Sequence, residues 1–153
     1  IHDKTLHAIR SGFTLSQFEQ AVSDLHKRNI PVITHLILGL PGETKEDMLS
    51  SVRYVGSLPV TGIKLQLLHI LKGTDLGIAY MADPFPLFTL EEYCDLIADC
   101  IALLPPEIVI HRLTGDGPRN LLLAPLWSTD KKRVLNTIQK CLRERDLWQG
   151  KNI

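Results

Sequence analysis

The stretch THLILGLPGE, Thr34 to Glu43, runs from an apolar segment through a Gly-Pro-Gly turn into acidic residues that open a helix. Pro31 starts the segment, PVITHLILGL, which is nearly continuous in apolar residues, the pattern of a parallel strand covered on both faces. Gly39 and Gly42 let the backbone adopt positive φ or approach another group closely. Two readings follow. One is a tight strand-to-helix turn, with Glu43 and Glu46 favouring the positive end of the helix. The other is a turn that a ligand approaches. A phosphate cradle is disfavoured, because Glu43 would repel the anion and no P-loop lysine follows at the required spacing.

Working outward, the same alternation of strand and helix repeats. Upstream, Asp3 to Arg10 forms a short helix stopped near Ser11-Gly12. Thr14 and Gln17 have capping-box spacing ahead of a second helix, whose stripe is Leu15, Phe18, Val22 and Leu25. That helix ends near Asn29. Downstream, Thr44 and Asp47 start a helix presenting Met48, Leu49, Val52 and Val55 to a core. A second strand, GIKLQLLHIL, spans Gly62 to Leu71, and KGTDLGIAYMADPFP after it reads as loop. Thr89 and Glu92 cap a helix through Leu104, with Leu90, Tyr93, Ile97 and Ile101 inward. Pro105-Pro106 stops it, and EIVIHRL, Glu107 to Leu113, is a third strand. A polar turn, TGDGPRN, leads to a short apolar segment. Asp130 then caps a final helix carrying Val134, Leu135, Ile138 and Leu142. This order is α/β with parallel strands. Three strands cannot close a barrel, so the favoured reading is one side of a β/α barrel whose other strands precede Ile1.

Composition bounds the function classes. The chain has 153 residues, 44% of them hydrophobic and 22% charged, which suits one globular domain with a real core. No apolar run approaches the roughly 20 residues of a bilayer span, and no secretory signal is visible, so a cytoplasmic location is expected. Cys94, Cys100 and Cys141 are an odd set without paired-motif spacing, as for reduced thiols in a cytosolic protein. Formal charge is zero, yet Lys131 to Ile153 carries seven basic residues against two acidic ones. A basic terminal helix suits nucleic-acid phosphates or is simply a solvated face.

In open parallel sheets and β/α barrels, ligands gather at the carboxyl ends of the strands. Here the loops at those ends are GLPGE, HILKGTDL and HRLTGDGPRN. His69 and His111 fall near strand ends, and Asp116 lies in the turn after His111. Such a trio suits a metal, an acid-base role or a bound substrate; buried, satisfied histidines are the plain alternative. His35 is mid-strand, facing core or barrel interior, while His2, His7 and His26 are surface residues. Lys64 and Gln66 share one strand face; toward a barrel interior they are polar lining, and at an edge they mean little.

THLILGLPGETKEDM (Thr34–Met48), GIKLQLLHILKGTDL (Gly62–Leu76) and PPEIVIHRLTGDGPRNLLLAPLW (Pro105–Trp127), in this order, resemble the radical S-adenosylmethionine (radical SAM) superfamily. They are most similar to its branch of oxygen-independent coproporphyrinogen oxidases and the elongator catalytic subunit, with a bacterial subfamily of iron–sulfur oxidoreductases. The resemblance covers nearly the whole chain. It implies the C-terminal portion of a radical SAM barrel, residues 1–153, with a C-terminal extension over about 105–153.

From that resemblance, Ile37, Gly39 and Glu43 correspond to the fifth-strand motif beside the adenosine of SAM. Ile37 would contact adenine, Gly39 would permit close approach and Glu43 would brace the turn. Leu67, Leu68 and His69 close the sixth strand, which also borders adenine. His111, Arg112 and Asp116 are the substrate-side candidates. The family holds a [4Fe-4S] cluster with C-x3-C-x2-C after its first strand, a triad that this chain does not contain. The expectation is that the cluster belongs to an upstream part and that this piece alone is inactive. The resemblance further implies SAM, an external electron donor and tRNA as partners, and a truncated strand edge prone to self-association. A metal-dependent hydrolase or lyase using His69, His111 and Asp116, or a non-catalytic interaction module, are the alternatives.

Overall fold

The computed structural model describes residues 1–115 and 117–153. Its centre is a three-stranded parallel sheet of β1 (Ile33–Leu38), β2 (Gly62–Leu67) and β4 (Val109–Arg112), in the order β1-β2-β4. Helix α3 (Lys45–Gly56) connects the first pair. Helix α5 (Leu90–Leu103) precedes β4, and both helices lie on the same face of the sheet. The sheet is open, as expected of one side of a barrel.

The helices begin where the sequence places their caps. In α2 (Leu15–Lys27), α3 and α5 the side chains of Thr14, Thr44 and Thr89 accept from the N3 amides of Gln17, Asp47 and Glu92 at 3.2–3.3 Å. Each N3 side chain returns a bond to the threonine amide at 2.8 Å, so two otherwise orphaned N–H groups are satisfied reciprocally. Asp130 caps α6 (Lys131–Glu144) through the Arg133 amide. Helix α1 (Asp3–Ala8) is held near the start of α3, where His2 Nε2 lies 3.1 Å from the Asp47 carbonyl.

The core lies between sheet and helices. Leu38, Ile63 and Leu65 meet Val52 from α3 and Tyr93, Ile97 and Cys100 from α5, all essentially inaccessible. Each large side chain buried this way stabilises the fold by about 1.5–3 kcal/mol relative to exposure. Val134 and Ile138 of α6 pack on α5, but Leu135, expected in the stripe, is exposed. Tyr93 is pinned by its hydroxyl, which donates to the Leu113 carbonyl at 2.9 Å.

Three expectations change. β1 is not covered on both faces: Ile33 and Ile37 project from the side opposite the helices and are 42% and 40% exposed. The second strand does not run to Leu71. It stops at Leu67, and β3 (Ile70–Leu71) pairs antiparallel with β5 (Leu122–Ala124) in a separate two-stranded sheet. The segment read as loop contains α4 (Asp75–Ala82). Thr74 caps α4 at the Gly77 amide, and Gly77 is buried against the Leu71 carbonyl, where a Cβ would come within 2.1 Å. This helix has no apolar stripe, so periodicity could not reveal it. Among the described residues no helix is long and apolar enough to cross a membrane.

Candidate functional site

The carboxyl ends of β1 and β2 open into a cavity of about 610 Å³. One wall is the Gly39–Glu43 turn, another is Leu67-Leu68, and Phe85 to Phe88 with Leu96 of α5 complete it. The size falls in the range of small-ligand sites, and the walls are chiefly apolar. Both turn glycines have left-handed backbones, Gly39 at φ +90° and Gly42 at φ +84°. The Glu43 amide donates to the Leu40 carbonyl at 3.2 Å and closes the turn. The Gly39 amide points at Met48 Sδ, 3.1 Å away. A Cβ on Gly39 would sit 3.2 Å from Cε2 of Phe88, so this aromatic ring already uses the close approach that the glycine permits. Trp127 Nε1 donates to the Phe88 carbonyl at 2.9 Å and holds that segment in place.

Of the sequence-predicted cofactor residues, Gly39, Glu43, Leu67 and Leu68 therefore share one cavity. Ile37 does not enter it. Its side chain lies on the open sheet face and borders a groove of about 240 Å³ between α1 and β1, which Glu43 also reaches. His69 sits in a third recess, with its Nε2 3.1 Å from Ser128 Oγ. The backbones of Gly115 and Gly117 lie against its ring: a Cβ at either would be 2.3 Å from Cε1 or 3.0 Å from Nδ1.

The substrate-side candidates His111 and Arg112 lie on the open sheet face. The His111 ring covers Gly62, where a Cβ would fall 2.6 Å from Nε2. Arg112 stands opposite Lys64. Asp116 lies outside the described residues. His35, Lys64 and Gln66 share this face, with Gln66 Nε2 3.3 Å from His35 Nδ1. Burial, then the charges of Lys64 and Arg112, lower the imidazole pKa of His35. Sequence reasoning missed Phe88, Ser128 and the seating roles of Gly62, Gly115 and Gly117. The glycines of TGDG were visible as a turn, but nothing in the pattern names the ring they pack against.

The cysteines do not assemble a metal site. Cys94 and Cys100 are buried in α5, and burial pushes both thiols up to about 12. Cys141 Sγ donates to Asp95 Oδ1 at 2.9 Å instead. Among the described residues no group of three or more His, Cys, Asp or Glu side chains could hold a metal ion.

The family model of the radical SAM C-terminal domain matches residues 60–144, more than half the chain. The chain is similar to YtqA of Bacillus subtilis, 37% identical over 99% of this chain and 47% of that protein. It is 35% identical to YhcC of Escherichia coli K12 over 94% of this chain and 46% of that protein. A tRNA uridine(34) acetyltransferase of Dehalococcoides mccartyi is 26% identical, over 95% of this chain and 34% of its own length. The chain thus spans about half the length of the first two relatives. Among solved structures, the archaeal Elp3 of Methanocaldococcus infernus with an N-terminal deletion shares the fold, with TM-score 0.81 and 17% identity. That match covers 97% of this chain and 35% of the other. The matched span contains β2, β4, α5 and α6, and on that match the chain belongs to the radical SAM C-terminal domain family.

Proposed function

We propose that residues 1–153 are the C-terminal portion of a radical SAM barrel that acts in tRNA modification, and that the cavity at the tips of β1 and β2 receives the adenosyl end of SAM. The observation that carries this reading is the convergence of Gly39, Glu43, Leu67 and Leu68 on one apolar cavity at the strand ends. Leu67 and Leu68 offer apolar contact, and the Phe88 ring seated on Gly39 adds an aromatic wall beside them. Family membership and the tRNA-linked name of one relative support the substrate class.

In this family SAM is cleaved reductively at a four-iron cluster to give a radical that abstracts hydrogen. The three cysteines of this chain do not fit such a cluster, since two are sealed in the core and the third is bonded to Asp95. We infer that the cluster ligands and the site of the external electron donor belong to the portion that the relatives carry beyond the matched half. The residues present here would bind and orient the adenosyl group and exclude water from it.

Methyl NMR tests the binding reading. Titrating the 153-residue chain with SAM should shift the Leu67 and Leu68 methyls saturably. Unmoved methyls in the wild-type chain, with SAM at millimolar concentration, would overturn the assignment.

A further inference from the structure

The charged side chains that the three strands place on the open face, Lys64 and Arg112, are both basic. Lys64 of β2 stands opposite Arg112 of β4 on one side, so two cations are directly opposed, and opposite the His35 imidazole of β1 on the other. Like charges directly opposed on neighbouring strands destabilise a sheet. Among the described residues neither Lys64 nor Arg112 has an ion-pair partner.

A bulge makes this pairing. Ile63 pairs with Ile110, but the next residue of β2, Lys64, pairs with Arg112, so His111 is the extra residue on β4. In a regular strand His111 and Arg112 would point to opposite faces. The bulge brings both to the open one: His111 lies over Gly62, and Arg112 is close enough to Lys64 and His35 for its charge to act on the imidazole. Bulges re-aim side chains in this way at binding sites. Gly62 completes the device, because any side chain there would collide with the His111 ring.

We propose that this face binds an oxyanion, a phosphate or carboxylate group of a ligand, held between Lys64 and Arg112 with His35 and His111 beside it. Neighbouring strands are about 4.8 Å apart, so an oxyanion lying between the two cations replaces their repulsion with two charge-assisted hydrogen bonds. The planar guanidinium suits two oxygens at once, and the lysine supplies a mobile point charge. The site stands on the sheet itself. It rests on the radical SAM reading only for what carries the oxyanion, an RNA phosphodiester or the carboxylate of SAM.

The test is imidazole NMR of His35 and His111 in the 153-residue chain, titrated with inorganic phosphate at ionic strength held constant with chloride. Saturable shifts are expected, with His35 titrating at higher pH once phosphate is bound. Lys64→Gln and Arg112→Gln should each weaken the apparent affinity roughly tenfold, and Lys64→Arg should restore most of it. Shifts that do not saturate, or that both glutamine variants leave unchanged, would overturn the proposal. Displacement of phosphate by a short single-stranded RNA assigns the site to a phosphodiester; displacement by SAM assigns it to a carboxylate. If neither displaces phosphate, the site takes an adventitious ion only and the proposal fails. Loss of the phosphate effect with the Leu67 and Leu68 response to SAM intact would sink this inference alone.

Discussion

At Gly115 the backbone leaves no room for a side chain, since a Cβ would also lie 3.1 Å from the Leu67 carbonyl oxygen as well as against the His69 ring. The ring in turn reaches Ser128, so one glycine sets the position of a histidine that bridges the end of β2 and the segment before α6. Gly115→Ala should therefore displace His69 and cost about 1–3 kcal/mol by overpacking. Urea unfolding reads the stability, and the His69 imidazole shifts read the displacement. An alanine variant as stable as the parent, with unmoved His69 signals, would contradict this account. Gly39 differs in kind: its φ of +90° disfavours any L side chain, and the neighbour it would strike is the edge of Phe88.

Between elements, α3, α5 and α6 are joined by one carboxylate. Asp99 of α5 accepts from Arg145, just after α6, and pairs with Lys45 of α3 at 2.5 Å. Burial alone would push the Asp99 carboxyl up, but the hydrogen bonds from Lys45 and Arg145 outweigh it and hold the group below the usual carboxylate range. The unfolded chain then binds the proton more readily than the folded one, so stability rises with pH through this window. Asp99→Asn should cost about 1 kcal/mol near pH 6, a value discounted for the exposure of Lys45 and Arg145. The difference should shrink as pH falls below the ordinary aspartate value of 3.8. Urea midpoints of both proteins at pH 3 and pH 6 check it. An equal gap at the two values would show that the carboxylate charge is not what matters.

For the whole molecule the sheet is the consequence that reaches furthest. Among the described residues β1 pairs only with β2, so its outer edge carries unpaired backbone, and Ile33, Ile37 and Val109 are exposed on the open face. An unpaired apolar edge is a template for another strand. Sedimentation velocity between about 5 and 200 µM is expected to show concentration-dependent self-association, reduced by Ile37→Lys. A monomer throughout that range would show that the groove between α1 and β1 is barrier enough.

The helix starts and the α/β order were legible because they are local. Thr14 with Gln17, Thr44 with Asp47 and Thr89 with Glu92 satisfy backbone groups within one turn, and stripes such as Met48, Leu49, Val52 and Val55 follow from a fixed period. The strand-end loops could be located for the same reason. The division of the predicted residues among a cavity, an open face and a recess was not legible. It depends on where β2 stops, on the bulge at His111, on the Phe88 ring brought from far along the chain onto Gly39, and on the Gly115 backbone set against the His69 ring. Alternation assigns a residue to a face only while register holds. Register, and the groups that meet across it, are set by long-range packing that no window of sequence contains.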